Sequence, residues 1–182
     1  MKRLVIILLL FPIVLNSNIF EISSFKADFT EKVYDEDSME IAVIKGKVYL
    51  KKNNMIRMDI EKPEKQIIIV NKDSIMIYYK KNNRISFTEI DKNSRLLLPS
   101  EIIFNTDSNF NIIKNEGYIK LTPIDSLIRI DSLILGNNKK IGFIKVYTED
   151  QRIEFVFKNE KIDMKIDDKI FKFLRIETNN GD

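Results

Sequence analysis

From Phe25 onward, apolar and polar positions follow one another in short runs separated by turn residues, and no long stretch repeats at helical period. The first run sets the pattern. Phe25, Ala27, Phe29 and Val33 alternate with Lys26, Asp28, Thr30 and Lys32, which predicts a strand with one buried and one wet face. Three later runs, Ile67-Ile68-Ile69-Val70, Ile75-Met76-Ile77-Tyr78-Tyr79 and Leu133-Ile134-Leu135, are apolar on both sides. An antiparallel strand ordinarily buries one face, so these predict a cover on the second face, either a helix or a ligand.

The punctuation agrees with hairpins. Lys52-Asn53-Asn54, Asn71-Lys72-Asp73, Lys81-Asn82-Asn83, Asn115-Glu116-Gly117, Gly136-Asn137-Asn138 and Glu149-Asp150-Gln151 offer residues that tolerate positive φ. About ten to twelve strands are expected, with neither linker nor repeat. The break lies between Asn93 and Phe104, where Leu96-Leu97-Leu98 and Ile102-Ile103-Phe104 flank Pro99-Ser100-Glu101. Two short apolar helices are expected there, Pro99 interrupting the first and Ser100 capping the second, together forming a lid.

The N-terminus has a different texture. Lys2 and Arg3 precede an apolar run from Leu4 to Leu15, broken at Pro12, and the chain turns polar at Asn16, Ser17 and Asn18. A spanning helix needs about 20 apolar residues, so residues 1–17 read as a secretory signal peptide and residues 18–182 as one domain. A retained, anchoring segment is the alternative. Export from the cytoplasm is the expectation.

Composition then narrows the chemistry. The 182 residues are 44% hydrophobic and 31% charged, which fits a soluble globular domain. The net charge of +3 is spread out rather than gathered into a stripe, which argues against nucleic acid as a partner. There is no His and no Cys. Thiol nucleophiles, Ser-His-Asp triads, imidazole catalysis and ordinary zinc sites are thereby excluded, as are disulfides and a lipid on an N-terminal cysteine. No cofactor is called for, and no carboxylate pair has an arguable catalytic arrangement. A non-enzymatic monomer is the expectation.

Motif order adds a resemblance. Ser24-Phe25-Lys26-Ala27-Asp28-Phe29-Thr30-Glu31-Lys32-Val33 resembles the opening strand of the LolA family of periplasmic lipoprotein carriers. Gly46-Lys47-Val48-Tyr49-Leu50-Lys51-Lys52-Asn53 is similar to that family's G-x-apolar-x-apolar-K-x-P element, and Met55-Ile56-Arg57-Met58 to its apolar-apolar-R-W element. Glu61-Lys62-Pro63-Glu64, Tyr118-Ile119-Lys120-Leu121-Thr122-Pro123 and Phe171-Lys172-Phe173 follow in the family's order. Asn53 departs from the expected proline, Met58 from an aromatic residue, and Lys52 stands where some carriers have an arginine.

The resemblance implies an incomplete antiparallel β-barrel, closed by short helices, that holds acyl chains of lipoproteins or another lipid. Taken alone, the doubly apolar strands favour a sandwich core over a cavity, and the resemblance reverses that preference. With the resemblance, the candidate cavity residues are Phe29, Val48, Leu50, Ile56, Met58, Ile68, Met76, Tyr78, Leu97 and Ile102, with Lys52 and Arg57 at its mouth or lid. The implied partners are an inner-membrane lipoprotein-releasing ABC transporter and an outer-membrane acceptor. An envelope lipid-binding or stress-sensing module of the same fold is the second reading, and a carboxylate hydrolase a distant third.

Overall fold

The computed structural model describes residues 22–71, 73–90, 98–104, 110–125, 130–136 and 140–173. The signal segment, Leu97 and most of the first expected lid helix lie outside the described residues. Eleven strands follow the predicted hairpins: β1 (Ser24–Tyr34), β2 (Glu40–Lys51), β3 (Met55–Lys62), β4 (Gln66–Asn71), β5 (Ser74–Tyr79), β6 (Arg84–Glu89), β7 (Phe110–Asn115), β8 (Tyr118–Pro123), β9 (Ser132–Gly136), β10 (Phe143–Tyr147) and β11 (Arg152–Ile162). They form one sheet in the order β6-β5-β4-β3-β2-β1-β11-β10-β9-β8-β7, every pairing antiparallel. Positive φ occurs in three of the predicted turns, at Asn53 and Asn54, at Asn83 and at Gly117, while Lys72 and residues 137–139 of two others lie outside the described residues. Asn53 and Asn54 both take positive φ, 69° and 54°, the pattern of a tight hairpin whose twist suits the flanking strands.

Strand alternation gives the sheet two faces of different character. One face collects Phe25, Ala27 and Phe29 of β1, Val48 and Leu50 of β2, Ile56 and Ile60 of β3, Val70 of β4, and the buried residues of β7 through β11 into a single cluster. Ile75 of β5 and Phe110 of β7 join that cluster from opposite ends of the strand order, so the sheet curls round on itself. The terminal strands β6 and β7 pair with no partner on their far sides, which leaves the barrel incomplete. The helix α1 (Pro99–Phe104) buries Ile102, Ile103 and Phe104 in the same cluster. The helix begins at Pro99, where a missing N–H costs nothing, so Ser100 lies in its first turn and is not its cap.

The outer face of β3, β4 and β5 carries a second, smaller cluster of Ile67, Ile69 and Met76, with Tyr78, Ile85 and Phe173 packed against it. Its cover is the chain's own C-terminal segment. A 3-10 helix (Asp168–Phe171), capped by the Asp167 carboxylate accepting from the Lys169 N–H at 2.9 Å, lies against β3 and β4 and buries Phe171. Phe173 meets Phe87 of β6 edge to face at 5.6 Å. Arg57 secures the segment: its Nη1 donates to the Ile170 carbonyl at 3.2 Å while its Nε donates to Asp59 at 2.9 Å. Lys51 pairs with Asp168.

Strands β2 and β3 approach closely at Gly46, where their register slips. A Cβ there would stand 2.2 Å from the Asp59 carbonyl oxygen, which belongs to the backbone and cannot yield alone. Gly46→Ala is expected to cost about 1–3 kcal/mol through overpacking, read as a lower urea midpoint. The neighbouring exposed Lys45→Ala should stay within about 0.5 kcal/mol. Equal midpoints for the two variants would show that β2 has room to relax.

Candidate functional site

The inner face is covered unevenly. At the β2–β3 turn end, where Asn54 bonds to α1, Val48, Leu50 and Ile56 share one cluster with Ile102, Ile103 and Phe104 of α1 and are at most 1% exposed. Toward the other end of β2 no described segment continues the roof. A groove of about 660 Å³ opens there, floored by Ala42 and Ile44 of β2, Met58 and Ile60 of β3, Ile68 of β4 and Phe155 of β11. Its rim is formed by Pro63, Glu64 and Gln66 on one side and Ile41 and Val43 on the other. The size is within the range of small-molecule sites, and the lining is mostly apolar.

One titratable group stands inside. Glu31 of β1 lines the groove between its cross-strand neighbours Ile44 and Phe155. Burial among apolar atoms pushes its carboxyl above the ordinary range, and it has no hydrogen bond or ion pair among the described residues. Glu64 at the rim is the other acid of the groove, facing Lys81 at 3.8 Å in an exposed pair. No group of His, Cys, Asp or Glu capable of holding a metal occurs among the described residues.

A polar bond ties the roof to the β2–β3 turn. Asn54 Nδ2 of the β2–β3 turn donates to Glu101 Oε1 of α1 at 2.6 Å, and the Glu101 side chain is buried. Lys52, in the same turn, contributes its backbone N–H to the Ser23 carbonyl at 3.2 Å and leaves its side chain exposed.

The candidate cavity residues divide accordingly. Met58 and Ile68, directly paired across β3 and β4, line the open groove. Phe29, Val48, Leu50, Ile56 and Ile102 are on the same inner face but fully packed. Met76 and Tyr78 require correction, because β5 pairs Ile77, not Met76, with Ile68, and a shift of one residue along a strand changes the face. Both belong to the outer cluster under the C-terminal segment. Arg57 is corrected for the same reason: its partner Ile69 faces outward, so it holds the C-terminal segment rather than the lid. Leu97 lies outside the described residues.

Two features escaped the sequence reading. Glu31 carried a signal, since it occupies the inward register between Phe29 and Val33 where an apolar residue is expected. The Asn54–Glu101 bond joins positions 47 residues apart and leaves no local trace. The third doubly apolar run has its own answer. Ile134 faces outward into a shallow groove of about 530 Å³ with Tyr118, Phe143 and Tyr147.

The sequence matches the family model described as "Outer membrane lipoprotein carrier protein LolA" over residues 21–174. Two relatives named outer-membrane lipoprotein carrier protein are each 23% identical to the chain. The one from Actinobacillus succinogenes aligns over 165 residues, 87% of this chain and 79% of its own, and the one from Pseudoalteromonas translucida over 175 residues, 87% and 80%. Among solved structures, a DUF1329 family protein from Desulfovibrio piger superposes with a TM-score of 0.53 at 11% identity, covering 85% of this chain and 91% of that one, a likeness of fold alone. The family match runs from just before β1 to just past Phe173, and so takes in the whole curled sheet, its roof and the C-terminal cover: the chain belongs to the LolA family of outer-membrane lipoprotein carrier proteins.

Proposed function

We propose that the protein is a periplasmic carrier that shelters the acyl chains of lipoproteins in the inner groove and performs no chemistry on them. The observation that carries this reading is the open, mostly apolar groove beside a short roofing helix in a chain of this family. Each methylene moved from water into such a groove is worth about 0.8 kcal/mol, enough for one or two chains to be held reversibly against return to a membrane. No helix among the described residues is long and apolar enough to cross a membrane, consistent with a ferry that moves between membranes. The proposed donor is an inner-membrane lipoprotein-releasing ABC transporter, and the proposed acceptor sits at the outer membrane.

Loading needs more room than the groove alone provides. The packed residues Val48, Leu50 and Ile56 become available only if α1 lifts, and the bond between Asn54 and Glu101 opposes that movement. Asn54 is thus the latch of the roof. A hydrogen bond to a charged group contributes about 1.5–3 kcal/mol, which sets the scale of the closed-state preference.

Three measurements test this. Native mass spectrometry of the protein taken from its own envelope should find lipoprotein bound; free lipid alone would favour a lipid-binding module, and an empty groove would count against both. Ile68→Glu is expected to lower affinity for alkyl ligands by about tenfold or more with little loss of stability, since a charge in an apolar site is costly to desolvate by ligand. Met76→Glu, on the outer cluster, should instead destabilise the fold by about 3 kcal/mol or more. Asn54→Gly keeps the positive φ of the turn but deletes the latch, so hydrogen exchange at residues 100–104 should quicken by about tenfold, while Asn53→Gly leaves it unchanged. Unchanged exchange in Asn54→Gly would remove the latch from the mechanism.

A further inference from the structure

We propose that Glu31 is a headgroup selector: the polar anchor of the inner groove, which favours acyl ligands bearing an ammonium or amide N–H and disfavours those bearing an anionic head. The proposal rests on the carrier reading of the same groove and names the ligand chemistry it accepts. Three observations support it. Glu31 lies on the inner face, lining the groove between Ile44 and Phe155, where neighbouring inward positions of β1 are Phe29 and Val33. Its carboxylate has no partner among the described residues, so its hydrogen-bonding capacity is left for a guest. Partial burial raises its tendency to hold a proton, as expected of a half-buried acid without a compensating cation.

The surroundings supply no competing charge. From β2 the groove receives Ile41, Ala42, Val43 and Ile44; from β3, Met58 and Ile60; from β4, Gln66 and Ile68; from β11, Phe155. The β3–β4 turn adds Glu64, a second acid, and no Lys or Arg lines the groove. The lysines of β1 and β2 nearest in sequence, Lys32 and Lys45, alternate to the outer face with Lys47, where Lys32 meets Glu40 at 2.7 Å and Lys47 meets Glu61 at 3.4 Å. A groove whose ionisable lining is wholly acidic attracts a cation or an N–H donor and repels a carboxylate, phosphate or sulfonate.

Such a group has a selective use in a carrier. The acyl chains give affinity without discrimination, because every methylene is alike. Discrimination has to come from what the chains are attached to. A peptide amide N–H or α-ammonium next to the chains satisfies the Glu31 carboxylate. A free fatty acid or an anionic phospholipid places a second negative charge against it and pays for desolvating both.

The test uses three twelve-carbon probes of fixed charge state, dodecylammonium, dodecyl sulfonate and the neutral dodecyl maltoside, each binding by displacement of an apolar dye from the protein below its micelle concentration. At pH 7 the wild type is expected to prefer the ammonium over the sulfonate by about tenfold or more, and Glu31→Gln to bring that ratio within about threefold while maltoside affinity stays within about twofold. Lowering the pH should carry the wild-type ratio toward that of Glu31→Gln as the carboxyl gains its proton. Glu64→Gln should leave most of the preference in place. A ratio that is the same in wild type and Glu31→Gln, or one abolished equally by Glu64→Gln, overturns the selector while sparing the groove. Failure of all three probes to bind overturns the carrier reading with it.

Stability gives an independent readout. Because the folded protein raises the Glu31 pKa, the protonated form is favoured by folding, and that advantage is lost as pH rises out of the acid range. Glu31→Gln should therefore resist urea better than wild type at pH 7 and no better at about pH 4, the ordinary glutamate range. Identical midpoints at both pH values would mean a solvated carboxylate and would overturn the proposal.

Discussion

The unclosed curl of the sheet is the constraint on which the rest depends. A strand puts alternate side chains on opposite faces, so eleven strands curling one way concentrate half of their side chains on an inner surface. A closed barrel of this size fills its interior or encloses it. Among the described residues β6 and β7 do not meet, and a helix of six residues roofs the end next to the β2–β3 turn. The unroofed end stays as an apolar groove because no other described segment reaches it. At Gly46 the missing side chain lets the Asp59 carbonyl approach.

The same geometry creates a second need on the outside. Strands β4 and β5 are apolar on both faces, and their outer residues would meet water if left uncovered. The C-terminal segment answers it by laying Phe171 and Phe173 against the outer side, with Arg57 bound to the Ile170 carbonyl. Arg57 is therefore a structural clasp. Holding the two strands from outside keeps Ile68 and Met58 aimed at the groove, since their orientation follows from the register of β3, β4 and β5.

Polar groups on the inner side are few, and each has a use that an apolar residue would not serve. Asn54 and Glu101 tie the roof to the turn beneath it, which gives the helix a defined closed position. Glu31 interrupts an otherwise apolar row with a half-buried carboxyl that has no partner among the described residues, and its partial burial raises its tendency to hold a proton. Capture by area and selection by one carboxyl are separable tasks, performed by different side chains of one groove.

Much was legible along the chain because it depends on neighbours in sequence. Period-two alternation from Phe25 to Val33, asparagines at hairpin positions and the helix after Leu98 are local, and they led to the antiparallel class, the number of strands and the kind of lid. Motif order led to the family. The assignment of faces did not follow so easily. Where a strand alternates, as β1 does, its pattern tells inside from outside, and Phe29 is on the inner face. Where both faces are apolar, as in Ile75-Met76-Ile77-Tyr78, composition has no preference, and only the pairing of Ile68 with Ile77 decided that Met76 and Tyr78 look outward. Arg57 went the same way, and the partners of Asn54 and the cover of β4 came from segments far off in sequence. The sequence by itself determined which segments are strands and that apolar surface would need cover; tertiary structure alone decided which face each side chain takes and what covers it, because register and long-range docking are settled by contacts that no local pattern encodes.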